Sequence, residues 1–358
     1  MRLELQRRRE SSRWMLVLSP ALAVALTLLA GAALFAMLGY DGIAAVRAVF
    51  IVPLADPGQW QELGIKAAPL ILIATGLSIG FRANIWNIGA EGQYVIGGLA
   101  ATGVALATWE TEGNWILPLM IAAGILGGMA YAAIPAFLRT RLQVSEILSS
   151  LMLTYAAVQL LYYLMRGPWK DPKGFNFPQS RLFTDWQLLP AIGNTYVHWG
   201  VPAAFLIAVV AWMVLSRTVF GYEVRVVGAA PNAARHGGFK HNRTIWLSLL
   251  AGGGFAGLAG VIEVAGPFGQ MVPQFPTGYG FTAIIVAFLG RLHPIGIIAA
   301  GLILAVSYVG GEVAQATLGL PNAAVGVFQG MMLFFLLAAD ALVSYRLRLV
   351  PTVSRAAR

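Results

Sequence analysis

The stretch "APLILIATGLSIGFRANIWNIGAEGQYVIGGLAATGVALA", residues 68–107, sets two apolar runs around a segment carrying an arginine, two asparagines, a glutamate and a glutamine. Each run has the character of a membrane-crossing helix, because about 30 Å of hydrocarbon takes about 20 apolar residues at 1.5 Å apiece. Arg82 marks a membrane face by its charge, and "NIWNIGAEGQ" then re-enters the apolar region. Non-helical backbone at that depth is tolerated only where protein buries it or where it lines a cavity. The segment therefore decides the fold class and is the first place to look for function.

Composition agrees. Hydrophobic residues make up 58% of the 358 and charged residues only 11%, against about a quarter charged in a soluble domain. The expectation is an all-α polytopic membrane protein: lipid offers backbone groups no partner, and the apolar segments are too long and unbroken for barrel strands. About ten transmembrane helices are expected, at 15–38, 62–81, 88–108, 115–138, 144–165, 199–217, 244–265, 279–290, 294–310 and 323–344. The eighth is short for a span, and the connection at 82–87 is barely a loop. The first run follows a basic head, is too long for a signal-peptide core and lacks an A-x-A site, so it reads as a retained span.

With the N-terminus inside, 18 of the 24 Lys and Arg fall in inside segments and six outside. That is the positive-inside bias, so the net charge of +9 reports membrane orientation and not nucleic-acid binding. The domain reading is a basic cytoplasmic N-terminus at 1–14, a single transmembrane domain at 15–344 and a basic cytoplasmic tail at 345–358. An outer loop at about 166–198 and an inner loop at about 216–243 interrupt the transmembrane domain. Spans 2–5 and 7–10 admit two inverted four-helix halves around span 6, as a suggestion of topology alone.

Catalytic and metal motifs are absent from the sequence. No G-x-x-x-x-G-K-[ST] loop occurs, the four histidines have no metal spacing, and there are no cysteines. "GGGFAG" at 252–257 fits a dinucleotide fingerprint by letters, but it lies within an apolar span with no strand before it. Its glycines, like Gly124 and Gly128, are expected to let helices approach closely. Glu263 and Asp340 lie near span ends, where interfacial solvation explains them as well as function does. Glu91 differs: Asn84, Asn87 and Gln93 stand within seven residues of it, and Gly89 and Gly92 flank it. These polar groups either converge on a polar solute or satisfy a helix break.

The inner loop contains "GAAPNAARHGG", where Pro231 suits a first helical position and Gly237 or Gly238 the exit, predicting a helix of about two turns. It is either a solvated loop helix or a docking helix for a cytoplasmic partner.

Several spaced motifs in one order, "NIWNIGAEGQYVIGG", "VSEILSSLMLTYAA", "RGPWKDP", "VGAAPNAARHGGF" and "GYGFTAIIVAFLGRLHPIG", resemble permease subunits of bacterial ABC importers. The superfamily is that of the ribose and branched-chain amino acid permeases, and the nearest branch works with Bmp-type lipoproteins and imports nucleosides. The resemblance runs from span 2 to span 10. It implies a non-catalytic subunit of the bacterial inner membrane that carries no cofactor itself, with ATP and Mg bound by a partner ATPase, typically a fused double ATPase. It also implies a second, non-identical permease and a substrate-binding lipoprotein. By this resemblance Phe81 or Trp86 would stack on a nucleobase, while Asn84, Asn87, Glu91 and Gln93 meet ribose hydroxyls or base edges. The coupling helix falls on Gly228, Pro231, Asn232, Ala233, Ala234, Arg235 and Gly238. A simple sugar such as a pentose is the alternative cargo of the same machine. An ion-coupled secondary transporter is a further alternative, for which Glu91 lacks an obvious second carboxylate.

Overall fold

Each apolar segment expected from the sequence is helical in the structure, a computed structural model that describes residues 2–7 and 13–350. In chain order the elements are β1 (Arg2–Arg7), α1 (Arg13–Met37), α2 (Gly42–Phe50), α3 (Val52–Ala55), α4 (Trp60–Arg82), α5 (Ala90–Ala107) and α6 (Ile116–Leu142). There follow α7 (Glu146–Arg166), α8 (Gly200–Arg217), α9 (Val219–Ala229), α10 (Pro231–His236) and α11 (His241–Glu263), which runs on as a π-helical turn, Val264–Phe268. The last are α12 (Tyr279–Leu289), α13 (Pro294–Leu318), α14 (Asn322–Ser344) and β2 (Tyr345–Val350). Among the described residues, six helices are long and apolar enough to cross a membrane: Pro57–Arg82, Ile116–Leu142, Glu146–Arg166, Gly200–Arg217, His241–Phe268 and Pro294–Leu318.

The described chain divides into two compact units, 1–55 with 307–358, and 56–306. In the first, α1 packs along α14 and against α2. Phe35, Ala45, Val49 and Phe328 form its core, and Asp41 caps α2 by accepting from the N–H groups of Ile43 and Ala44 at 2.9 and 3.0 Å. β1 and β2 pair antiparallel with Leu3 opposite Leu349 and Leu5 opposite Leu347. The sequences of both strands alternate with period two, which supports this small ribbon, and the other named elements among the described residues are helical. The segment between the first two expected spans contains α2 and α3. Both are too short to register as spans.

In the second unit α4 is buried on all sides from Ala67 to Phe81, as an all-round apolar helix inside a bundle must be. It packs against α8, α11 and α12, while α5 packs against α6, α7 and α11. The two proposed halves are thus interleaved: α11, from the later half, sits among α4, α5 and α6. α12 has 11 residues, about 16 Å of helix at 1.5 Å per residue, and so covers about half of a bilayer core. The loop at 166–198 is irregular but tied down. Gln187 Nε2 donates to the Ala105 carbonyl at 2.8 Å, and the N–H groups of Phe183 and Leu189 donate to Gly269 and Ala265 at 2.8 Å each.

Candidate functional site

α4 stops at Arg82 because Asn84 takes a left-handed conformation, φ 57°. The Asn84 N–H donates to Phe81 O at 3.1 Å and the Ile85 N–H to Gly80 O at 2.9 Å, a Schellman closure that uses Asn where Gly is commoner. Asn84 is exposed, and its Oδ1 accepts from Trp86 Nε1 at 3.1 Å. No helix forms again until Ala90. The "RANIW" stretch is thus an ordered chain reversal that delivers the following polar residues back into the bundle.

What holds the non-helical segment is a set of side chains spent on one another. Asn87 and Gln93, both buried, exchange two hydrogen bonds, Asn87 Nδ2 to Gln93 Oε1 at 2.8 Å and Gln93 Nε2 to Asn87 Oδ1 at 3.1 Å. Asn87 Oδ1 also accepts from the Gly89 N–H at 3.1 Å. On the other side the Ile88 N–H donates to Ser150 Oγ at 3.2 Å and the Trp86 N–H to Glu146 Oε1 at 3.4 Å. Glu146 is itself buried and paired with Arg139. Free main-chain N–H groups within a bundle would otherwise be strongly destabilising. The first two turns of α7 supply what the break lacks.

Glu91, 2% exposed, spends both oxygens on a second backbone irregularity. Oε1 accepts from the Gly278 N–H at 2.9 Å and Oε2 from the Gly280 N–H at 2.6 Å. These are the N-cap residue and a first-turn residue of α12, where orphan N–H groups and the positive end of the helix dipole favour a carboxylate. Gly278 has φ 83°, and a Cβ on Gly280 would lie 2.2 Å from the Glu91 nitrogen. The "GYG" of residues 278–280 therefore reflects one turn that only glycine fits and one close approach to α5.

Phe81 and Trp86 meet Phe288 of α12 rather than each other alone. The centroids lie 5.1 Å apart for Phe81–Trp86, 5.3 Å for Phe81–Phe288 and 5.7 Å for Trp86–Phe288. Phe81 is buried and Trp86 half-buried. Arg82 Nε donates to Leu292 O at 2.9 Å, fastening the far end of α12 to α4. The inner loop meets the same place, since a Cβ on Gly228 would stand 1.9 Å from Arg82 O. Val224 of α9 packs with Ile79, Ala83 and Ile85.

The residues singled out from sequence thus form two groups. Asn87 and Gln93 are brought together at the break, with Phe81, Trp86 and Asn84 at its margin, while Glu91 turns to the start of α12. Pro231, Asn232, Ala233 and Arg235 are exposed on α10, with Ala234 buried as its anchor. Gly238, φ 80°, closes α10, with its N–H donating to Arg235 O at 3.1 Å and the Phe239 N–H to Ala234 O at 3.0 Å. Helix α9, directly before α10, was not anticipated; the Thr218 hydroxyl that caps it at Gly221 N–H, 3.4 Å, was its sequence signal. Glu146, Ser150, Gly278, Gly280 and Phe288 were also missed as partners of the break. No His, Cys, Asp or Glu cluster fit for a metal exists among the described residues.

Glycines cross-brace this scaffold. A Cβ on Gly253 would lie 2.4 Å from Gly128 O, one on Gly257 2.2 Å from Gly124 O, and one on Gly97 2.3 Å from Gly257 Cα. α5, α6 and α11 are in backbone contact there, as close packing of small residues between membrane helices requires.

Comparison with known proteins gives this geometry its setting. A glucose ABC transporter permease of Haloferax volcanii is 36% identical over 355 residues, covering 96% of this chain and 93% of the relative. A guanosine ABC transporter permease of Bacillus subtilis is 28% identical over 91% of this chain and 94% of its own length. A nucleoside ABC transporter permease of Lactococcus lactis is 27% identical over 89% of this chain and 90% of its own length. Residues 62–337 match the family described as the branched-chain amino acid transport system permease component, a match that takes in α4 to α14 and every element of the site, and the chain belongs to that family.

Proposed function

We propose that this chain is the transmembrane permease subunit of an ATP-driven importer that moves a nucleoside across a cytoplasmic membrane by alternating access. The observation that carries the reading is its similarity, over most of its length, to permeases of guanosine and nucleoside ABC transporters. ATP and Mg bind to a partner ATPase, a fused double ATPase in this reading, and no covalent chemistry occurs in this chain. A second, non-identical permease completes the channel, and a lipoprotein delivers the cargo. The similarity to a glucose permease favours a sugar as the second reading. Both oxygens of Glu91 accept main-chain bonds, which counts against a carboxylate reserved for ion coupling.

In this reading α10 is the docking helix, its exposed Pro231, Asn232, Ala233 and Arg235 facing the ATPase. Closure of the ATPase displaces α10, and Gly228 passes the displacement to the end of α4. The break at 83–89 bends, and α12 follows through Glu91 and Phe288. Asn87, Glu91 and Gln93 then act by holding the break, while Asn84 and Trp86 stand at the inner mouth of the path. The test is purification of the tagged chain from cells that express it with its genetic neighbours, followed by uptake of labelled guanosine and glucose into proteoliposomes. ATP-dependent guanosine uptake by a complex containing an ATPase is expected. Glucose uptake alone would transfer the assignment to the sugar, and a chain purified without an ATPase would end the importer reading.

A further inference from the structure

The helices of the second unit expose two chemically different kinds of face. On α6 the exposed large apolar side chains are Leu119, Leu126, Ile134, Phe137 and Leu142, and on α8 they are Leu206, Val210, Met213 and Val214. These faces suit lipid. α7 is different. Its buried face, Glu146, Ser150, Thr154, Ala157 and Leu161, holds the break. Its exposed side is apolar in the inner half, with Ile147, Leu148 and Met152, and in the outer half presents Tyr155 at 60% exposure, Gln159 and Tyr163 at 67%, beside Leu160. Tyr155 lies at the centre of the 21-residue helix and Gln159 one turn beyond it, at depths where a carboxamide facing hydrocarbon has no hydrogen-bond partner. At the far end of this stripe Gln159, Tyr162, Tyr163, Arg166 and Gly167 line a shallow, open recess. The Arg166 guanidinium there lies over the Tyr162 ring, 5.4 Å from its centroid.

We propose that the Tyr155–Gln159–Tyr163 face of α7 lines the solute path, with the recess as its outer station for a nucleoside. Tyrosine rings spaced along one helix face offer successive stacking surfaces for a planar base. Gln159, between them, offers a donor and an acceptor to base edge or ribose. The same helix grips the break on its other side, so a movement of the 83–89 segment shifts the path wall. The inference rests on the importer reading above and locates its cargo on α7.

The chain has no cysteine, so a single cysteine is unique within it, and labelling is read on this chain's own band after the subunits are separated. Gln159→Cys and Tyr163→Cys, with Leu126→Cys and Leu206→Cys as lipid-facing references, are to be labelled with a membrane-impermeant methanethiosulfonate in the assembled complex. Labelling at residues 159 and 163 at least tenfold faster than at the references is expected, slowed severalfold by guanosine supplied with the binding protein. Labelling as slow as at the references would overturn the proposal, placing the face against lipid or another subunit. Fast labelling slowed by glucose and not guanosine would keep the path and overturn the nucleoside. Fast labelling that neither solute slows would overturn the solute station. Failure of the importer reading is separable, since it would appear as a parent complex without ATP-driven uptake, whatever the labelling rates.

Discussion

At Glu91 a carboxylate that looks costly inside an apolar bundle meets two N–H groups that look equally costly, and each resolves the other. The pairing yields a sharp expectation. Glu91→Gln keeps one acceptor but turns an amide donor toward a second donor, and it should destabilise the purified chain by about 1–3 kcal/mol. Glu91→Ala leaves both N–H groups of α12 unmet and should do so by more, with uptake falling in step with the folded fraction. Thermal denaturation in detergent, read beside uptake per folded complex, checks this. Lost uptake at unchanged stability would mean instead that the carboxylate touches the cargo. The polar residues of this site were legible in the sequence because each interrupts an apolar run. Their partners were not, because Gly278 and Gly280 lie 187 and 189 residues from Glu91 and only tertiary packing brings them near. Asn87 and Gln93, six residues apart, satisfy one another locally, and a reading that sends both toward a solute has no sequence signal against it.

Among the elements, those that had to be apolar for about 20 residues were readable end to end, since hydrocarbon thickness sets their length. Those that do not cross were not. α2, α3 and α9 are short pieces whose only announcements are caps, Asp41 for α2 and Thr218 for α9. α12 was readable as an apolar segment short for a span, but not as a helix held by its N-terminus on Glu91. The glycine-rich crossing of α6 and α11 was legible as close packing, and its stereochemistry makes a prediction at the level of helices. Gly257→Leu drives a side chain into the Gly124 carbonyl, and overpacking of this kind costs about 1–3 kcal/mol or more. Gly330→Leu on α14, where a Cβ would meet nothing within 4 Å, should be neutral or slightly stabilising through helix propensity. Thermal denaturation of the two purified variants separates them, and equal midpoints would mean that the α6–α11 crossing relaxes freely.

For the whole molecule, the importer reading asks that force applied at α10 reach the path, and docking and transmission make different demands on residues. Arg235→Glu reverses an exposed charge on α10 and should weaken capture of the ATPase, lowering copurification and cargo-stimulated ATP hydrolysis together. Gly228→Ala leaves the exposed face of α10 as it was but sets a methyl where the Arg82 carbonyl stands 1.9 Å from a Cβ, so α9 must shift relative to α4. The ATPase should still copurify with this variant, while uptake per ATP hydrolysed should fall severalfold. If Gly228→Ala and Arg235→Glu instead lose the ATPase to the same degree, α9 and α10 serve only as a dock, and the coupling to α4 must run through other residues. Retained uptake per ATP in Gly228→Ala would show that the contact at Arg82 carries no motion.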